Sequence, residues 1–370
     1  MKSFFDIYFL FIIIIGIITC ILTLSKVVGK TNNHKVDYFF YVLSLLFILF
    51  FFGLRNEDIG TDTSHYLYDF HLVSRFNNFT DALKFSTIKR DMFFVLFTYI
   101  STKFMSAKLY IFVLAGIYLL LINGIIKKLA KQQRLIVLFT FLCFGFFYGM
   151  GINILRSGLS VMFSLLGLLY LFDFSNTIKT KKKYLGFVFL TIGILFHSSA
   201  IIFILIYFLV KIIRLHIKWY YLGTLFFLML AYFKFSIKNL PIIGSIVEQN
   251  ERLEGYVSGE SIRQGSGFNL YVIMFQVLGI LYGYYFIKRY RDENYILINK
   301  IYLALSCFYF MCLDVSYSER FGVMSWVWLP ILLLFPFFKE GKLNLNKDFY
   351  KYIFVSLTYL LLTYYRVSYE

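Results

Sequence analysis

The chain has 370 residues, of which 60% are hydrophobic, 22% aromatic and only 15% charged, and it carries a formal net charge of +17. Because a soluble domain is roughly half apolar and a quarter charged, this composition excludes an ordinary soluble protein. It predicts an all-α, polytopic integral membrane protein, expected as one transmembrane domain over residues 1–370.

The basic excess follows the loops between apolar runs. Two longer polar stretches, 55–91 and 234–267, are balanced, with nine basic and ten acidic residues. Short basic loops lie on the cytoplasmic side of a membrane, so the charge indicates topology and no nucleic-acid partner is expected. Six short segments hold 20 of the 37 Lys and Arg residues against five Asp and Glu: 26–37, 127–134, 175–184, 211–218, 288–294 and 339–348.

Apolar runs of spanning length recur along the chain and predict about twelve transmembrane helices. With the basic segments in the cytoplasm, both termini lie outside, and the first run is a span rather than a cleaved signal, since no small-residue cleavage site follows it. The expected spans are 4–25, 38–54, 109–126, 135–150, 157–174, 185–197, 199–213, 219–235, 268–287, 295–313, 321–338 and 350–365.

The segment "MFFVLFTYISTKFM", residues 92–105, does not fit this alternation. It is apolar, but counting it as a span would place "KKLAKQQR" outside the cell. Its fourteen residues are typical of a re-entrant or interfacial helix, which is the interpretation adopted. The alternative is a thirteenth span with the N-terminus inside, at the cost of exposing "SKVVGKTNNHK" outside.

The first extracytoplasmic loop, 55–91, begins with "RNEDIGTDTSHYLYDF". After Gly60 the spacing predicts an amphipathic helix, with Asp62, His65 and Asp69 on one stripe and Tyr66 on the adjoining one. Asp62 is the candidate general base, with Asp69 or His65 nearby. A solvated loop helix explains the same pattern, and a metal on these three residues is a weak alternative.

Arg156, in "NILRSG", lies at the boundary of two apolar runs. A guanidinium facing a cavity there suits a phosphate group, because its fork binds two oxygens and it stays charged. The alternative is an arginine whose head simply reaches the membrane interface.

His197, in "FHSSA", stands between two short apolar runs. A run of about a dozen residues reaches roughly 20 Å, less than the hydrocarbon core of about 30 Å, so the turn is expected below the outer surface. A histidine there is a candidate site residue or a satisfied structural residue.

The last polar features are the second extracytoplasmic loop, 234–267, and "SYSERFG" at 316–322. Arg320 either joins Arg156 at an anionic group or forms a local ion pair with Glu319. On the predicted topology these features and the three above share the extracytoplasmic side. One external active site would need that arrangement.

These motifs together resemble the EpsG family, the multi-span, polymerase-like proteins of bacterial exopolysaccharide, capsule and O-antigen loci. The resemblance rests on "R…GTD…Y" after the second span, "LRSG", "FHSSA" and the late "ER", and it covers nearly the whole chain. Ser157 stands where the second motif of the family usually has glutamine.

The resemblance implies a Wzy-type polymerase with a GT-C-like fold. It would join undecaprenyl-diphosphate-linked repeat units at the outer face of the bacterial cytoplasmic membrane, with its active site toward the periplasm or the cell exterior. No cofactor or metal is implied, and the partners would be membrane lipid and a chain-length regulator and flippase of the same pathway. The site residues would be Asp62 and His197 as catalytic groups, with Arg55, Tyr66, Asp69, Arg156, Tyr317 and Arg320 binding substrate.

Two other classes fit part of the pattern. A flippase for the same lipid-linked sugar would also have about twelve spans, but it predicts charges toward both faces and an internal repeat, which is not evident. A membrane O-acetyltransferase would use a lone membrane histidine, but the other motifs do not indicate it.

Overall fold

The computed structural model describes residues 2–27, 34–88, 91–174, 183–239, 270–315, 318–339, 342–343 and 348–369. Across these ranges the protein is helical, apart from a hairpin in which β1 (Phe338–Lys339) pairs antiparallel with β2 (Lys342–Leu343). The chain divides into two compact units, residues 1–203 with 337–370, and residues 204–336.

The first unit is built from ten helices in the described N-terminal part of the chain and one at its C-terminal end. The helices are α1 (Lys2–Val27), α2 (His34–Gly53), α3 (Thr63–Ser74), α4 (Phe79–Phe85), α5 (Met92–Phe104), α6 (Ala107–Leu129), α7 (Arg134–Leu142), α8 (Gly145–Ile152), α9 (Leu155–Phe172), α10 (Lys183–Phe196) and α17 (Phe349–Tyr369). Within this unit, α6 packs against α2 and α9, and α9 packs against α10.

The second unit begins within α11 (Ile201–Phe208), which follows a 3-10 turn at Ser198–Ala200 and continues into a π-helical turn at Leu209–Ile213. Its central contact is between α12 and α14. The remaining helices are α12 (Ile217–Tyr232), α13 (Leu270–Tyr290), α14 (Glu293–Met311), α15 (Glu319–Trp326) and α16 (Leu329–Leu334), with 3-10 turns at Ile237–Asn239 and Phe335–Phe337.

Among the described residues, six helical segments are long and apolar enough to cross a membrane, or seven if α7 and α8 form one span. Further apolar helices are shorter, among them α5, α10 and α12. A mainly helical architecture with several helices of spanning length is therefore confirmed, while the count of twelve spans stays a prediction. The six segments are Phe4–Ser25, His34–Gly53, Ala107–Leu129, Leu155–Phe172, Leu270–Tyr290 and Glu319–Phe337.

The span expected over 135–150 is not one straight helix. The segment forms α7 and α8, which meet at an angle of 81°. Such a break frees backbone groups that lipid cannot satisfy, so they need partners within the protein. Thr363 of α17 supplies one: its hydroxyl accepts from the Gly145 N–H at 3.0 Å and donates to the Cys143 carbonyl at 3.3 Å. The bend at this point is therefore held by the last helix of the chain.

The predicted loop helix and the segment after it both form. The loop helix is α3, whose Tyr66 and Phe70 are buried. The segment expected over 92–105 is α5, a helix of 13 residues. The second extracytoplasmic loop, 234–267, lies outside the described residues from 240 onward.

Candidate functional site

Three ionisable side chains from distant parts of the sequence meet in the first unit. Asp91 Oδ2 lies 2.7 Å from Arg156 Nη1 and 3.2 Å from His197 Nδ1. The side chain of Asp91 is only 3% exposed, while those of Arg156 and His197 are 12% and 15% exposed. We call these three residues the Asp91 cluster.

Asp91 occupies the N-cap position of α5, where an aspartate usually bonds an early backbone N–H with its side chain. Here the side chain makes no capping bond. The first turn is instead closed by the Asp91 carbonyl, which accepts from the N–H groups of Phe94 at 2.8 Å and Val95 at 3.1 Å. The carboxylate is therefore free of a capping role and points at Arg156 and His197.

His197 comes to this point because α10 packs against α5 near its first turns. The ring of Phe196, the residue before His197, contacts those of Phe93, Phe94 and Phe97 at centroid distances of 5.4–6.2 Å. This aromatic contact places the residue after α10 beside the residue before α5. The position of the histidine thus follows from apolar packing one residue away.

Arg156 lies in the first turn of α9, and the same face of that helix holds the His197 turn. Ser160, four residues on, donates its hydroxyl to the Gly193 carbonyl at 2.7 Å and lies 3.3 Å from the His197 carbonyl oxygen. A Cβ on Gly193 would stand 2.9 Å from the Ser160 carbonyl oxygen, so only glycine allows this approach. Arg156 and His197 are therefore fixed by one helix pair.

The stretch after α2 packs on the segment that leads into α9. The Arg55 guanidinium donates to the Ile152 carbonyl at 3.1 Å, and the Thr61 N–H donates to Asn153 Oδ1 at 3.2 Å. Gly60, at φ +91°, permits the turn between them. Tyr66 Oη accepts from the Arg156 N–H at 3.3 Å. The first two sequence motifs therefore meet in space.

Arg55 is held by oxygen atoms of the protein. Besides Ile152, its donors reach Thr63 Oγ1 at 3.1 and 3.2 Å and the Phe52 carbonyl. Burial lowers the pKa of the guanidinium to about 10, opposed by the hydroxyls of Tyr66 and Tyr148. The group is therefore charged at neutral pH, and its contacts fit a residue that shapes the loop.

The other predicted acidic edge is split by the structure. Asp62 is the N-cap residue of α3, half-buried, with no side-chain capping bond, and Thr61 Oγ1 lies 3.4 Å from its Oδ1. His65 is exposed. Asp69 is buried and accepts from Ser86 Oγ at 3.1 Å and from Thr87 N at 2.8 Å and Oγ1 at 3.0 Å. Asp69 thus ties α3 to the turn that precedes Asp91.

The late motif, with Glu319 and Arg320, lies in the second unit. Arg320 is half-buried in the first turn of α15, beside Glu319, in the second unit. Tyr317 lies outside the described residues. Of the eight predicted site residues, the structure thus joins Tyr66, Arg156 and His197 directly to the cluster, with Arg55 at its edge.

Sequence reasoning missed Asp91. The residue was counted within the balanced loop 55–91, where the segment "KRDMFF" contributes three of the charges. A signal was present: Asp91 is the last charged residue before an apolar run, and an ionisable residue beside such a run is a candidate for function. Its partners lie far along the chain, so local spacing could not identify them.

The cluster holds one carboxylate against one guanidinium and one imidazole. Arg156 Nε is buried and has no hydrogen-bond partner among the described residues, so the described part of the chain leaves this donor unused. With Nδ1 of His197 facing the carboxylate, the neutral imidazole donates through Nδ1–H and keeps a lone pair on Nε2. The site can therefore accept a proton beside a fixed positive charge.

The described residues thus form a helical protein with several apolar helices of spanning length and a buried acid–arginine–histidine cluster. The family model of the EpsG family, a Wzy-like polymerase family, matches residues 38–370, and the chain belongs to that family. Comparisons with curated proteins and with solved structures gave no match.

Proposed function

We propose that this protein is a polysaccharide polymerase that joins undecaprenyl-diphosphate-linked oligosaccharide repeat units at the outer face of the bacterial cytoplasmic membrane. The product would be an O-antigen, capsule or exopolysaccharide chain. Membership of the EpsG family supports the class of reaction. The twelve-span, GT-C-like architecture and the partnership with a flippase and a chain-length regulator belong to the same proposal.

The reaction is a glycosyl transfer. A sugar hydroxyl of the incoming unit attacks the anomeric carbon of the growing glycan, and a new C–O bond forms while the bond to the diphosphate oxygen breaks. The hydroxyl proton passes to a base, and the lipid diphosphate leaves as an anion. The site therefore needs a proton acceptor and cationic groups that stabilise the developing negative charge.

Arg156 is the proposed diphosphate ligand. Its guanidinium is partly exposed and pairs with Asp91 through Nη1, so its remaining donors are proposed to bond the oxygens of the diphosphate. Arg320, in the second unit, is proposed as a further substrate-binding residue. Arg55 would act through the loop that it holds, because its donors already bond protein oxygens.

The proposed base is His197, with Asp62 as the second candidate. His197 lies beside both an acid and the proposed diphosphate ligand, which is the single observation that supports this assignment most. Asp62 is half-buried at the start of α3, and Tyr66 from the same helix contacts the Arg156 backbone. Tyr66 and Tyr317 are proposed to stack on sugar rings, and Asp69 to hold the loop.

The test is the surface glycan of a strain from which the gene is deleted. A lost polymerase leaves single repeat units on the acceptor, and a plasmid copy of the gene restores the ladder of long chains. Glycan is separated by gel electrophoresis. Absence of any repeat unit on the acceptor would contradict the polymerase and favour a flippase, because unflipped units never reach the outer face.

A further inference from the structure

We propose that Asp91 is a positioning residue that sets the tautomer and orientation of His197 and thereby makes Nε2 the proton acceptor of the reaction. This inference rests on the proposed polymerase function and adds a residue to its machinery. In this role Asp91 contacts no substrate itself and acts through the imidazole.

The carboxylate of Asp91 faces one ring nitrogen of His197. Asp91 Oδ2 lies 3.2 Å from His197 Nδ1, at the long end of a hydrogen bond between a ring N–H and a carboxylate. A neutral imidazole carries one N–H, and a carboxylate can only accept, so the proton resides on Nδ1. Nε2 then carries the lone pair. A carboxylate that holds a catalytic histidine in one tautomer is a general device for this purpose.

The three side chains of the cluster differ in burial. Asp91 is 3% exposed, whereas its two partners, Arg156 and His197, are 12% and 15% exposed. The acid is therefore the innermost member of the cluster, and the two residues that a substrate can reach lie on its outer side. This order is expected for a residue that supports the imidazole from behind.

Main-chain hydrogen bonds anchor Asp91. The main chain at Asp91 is fixed by the α5 bonds to Phe94 and Val95 and by its own N–H, which donates to the Ile88 carbonyl at 2.9 Å. Just upstream, Asp69 holds Ser86 and Thr87. Hydrogen bonds thus hold both Asp91 and the upstream turn, and a well-held support is what positioning of a catalytic side chain requires.

The charge of Asp91 is balanced by Arg156, whose Nη1 lies 2.7 Å from the same oxygen, Oδ2. A buried carboxylate without a cation would be strongly destabilising, so the guanidinium stabilises the acid next to the histidine. Removing Asp91 would leave Arg156 without its partner but free to bind an anion. Substrate affinity should therefore not fall when the carboxylate is removed.

The experiment uses the full-length protein reconstituted in liposomes. The probe is the lipid-linked repeat unit extracted from the deletion strain, and kcat and KM for chain elongation are measured. Asp91→Asn keeps the size but can present an N–H to Nδ1 and so favour the other tautomer. We expect kcat to fall roughly 10²- to 10⁴-fold with KM within about threefold of wild type.

Two further variants separate positioning from structural support. Asp91→Glu keeps the carboxylate one methylene farther out, and its kcat should lie about tenfold below wild type and well above that of Asp91→Asn. In the His197→Gln background, Asp91→Asn should lower kcat no further, because residues that act as one unit are not additive. Asp81→Asn, in an exposed ion pair with Lys84, is the control and should match wild type.

Several outcomes would overturn the inference. These are a wild-type kcat for Asp91→Asn, an Asp91→Glu variant as slow as Asp91→Asn, or losses that multiply in the double variant. If Asp91→Asn does not accumulate, a wild-type kcat for Asp91→Glu overturns it as well. Wild-type protein that fails to elongate the probe would instead contradict the proposed function, whatever the Asp91 variants do.

Discussion

The Asp91 cluster of the first unit and the side chain of Gln276 in the second unit are two buried polar networks of opposite character. Gln276, in α13, is fully buried. Its Nε2 donates to Ser306 Oγ, and its Oε1 accepts from Trp326 Nε1 at 2.9 Å and from Ser325 Oγ at 3.3 Å. The network is neutral, and it joins α13, α14 and α15.

The difference lies in charge and access. In the Gln276 network both ends of the amide have partners, which is how a buried polar group normally stabilises a fold. In the Asp91 cluster three ionisable groups lie within contact distance, and two of them remain partly exposed. Arg156 Nε has no hydrogen-bond partner among the described residues. Such an arrangement is costly for stability and useful for chemistry. Substitutions in the Asp91 cluster should therefore lower activity, and substitutions in the Gln276 network should lower stability.

The largest expected effect comes from His197. His197→Gln removes the proposed base while keeping a polar side chain, and chain elongation should fall roughly 10²- to 10⁴-fold, the usual contribution of a general base. The measurement is kcat in the liposome assay, with the amount of folded protein followed by size-exclusion chromatography. His216→Gln is the matched control, because His216 is an exposed residue that caps α12.

Asp62→Asn tests the rival base in the same assay. If Asp62 accepts the proton, this variant loses elongation and His197→Gln retains it, which would remove the Asp91 cluster from catalysis. With His197 as the base, Asp62→Asn and the control Asp81→Asn should both produce full glycan ladders in cells.

A smaller effect is expected from Arg156→Lys. Lysine keeps the positive charge near Asp91 but loses the planar fork that binds two oxyanions, so elongation should fall roughly 10- to 100-fold, the value of one or two charged hydrogen bonds. KM should rise, in contrast to the Asp91 variants. The readout is ladder length in cells and KM in liposomes.

Arg134→Lys is the matched control for that substitution. Arg134 is also partly buried with an unpaired Nε, and it stands at the start of α7, where its backbone N–H donates to Asp37. Equal losses from both substitutions would mean that a buried lysine is simply tolerated badly. A normal ladder from Arg156→Lys would return Arg156 to a residue that only reaches the interface.

Much of the fold could be predicted from composition and local pattern. The helical class, the loop helix α3 and the short helix α5 all follow from apolar period and length. The break between α7 and α8 could not be predicted, because its freed backbone groups are satisfied by Thr363 in the last helix. An interruption stabilised from so far along the chain leaves no local signal.

The site was predictable to the extent that its residues are unusual where they stand. Arg156 and His197 are polar residues that interrupt apolar runs, and this marked them as candidates. Asp69 was a candidate because of its place on the acidic stripe of α3, yet its partners are the hydroxyls of a neighbouring turn. Asp91 was counted only as part of a charged loop. Residue type and sequence context identify candidates, whereas only the packing of α5, α9 and α10 separates a support from a reactive group.

The smallest expected effect is on stability, and it tests the other half of the comparison. Gln276→Ala would leave Trp326 Nε1 without an acceptor and Ser306 Oγ without a donor, and an unsatisfied buried group costs about 1–3 kcal/mol. The midpoint of thermal unfolding should fall by several degrees, measured by fluorescence-detected size exclusion. Gln132→Ala, in the turn between α6 and α7, is the matched control and should leave the midpoint unchanged. The kcat of the folded Gln276→Ala protein should equal that of wild type, because a neutral network that only joins helices has no part in proton transfer or anion binding. A normal midpoint with a large loss of kcat would reverse the comparison and place Gln276 in the active site.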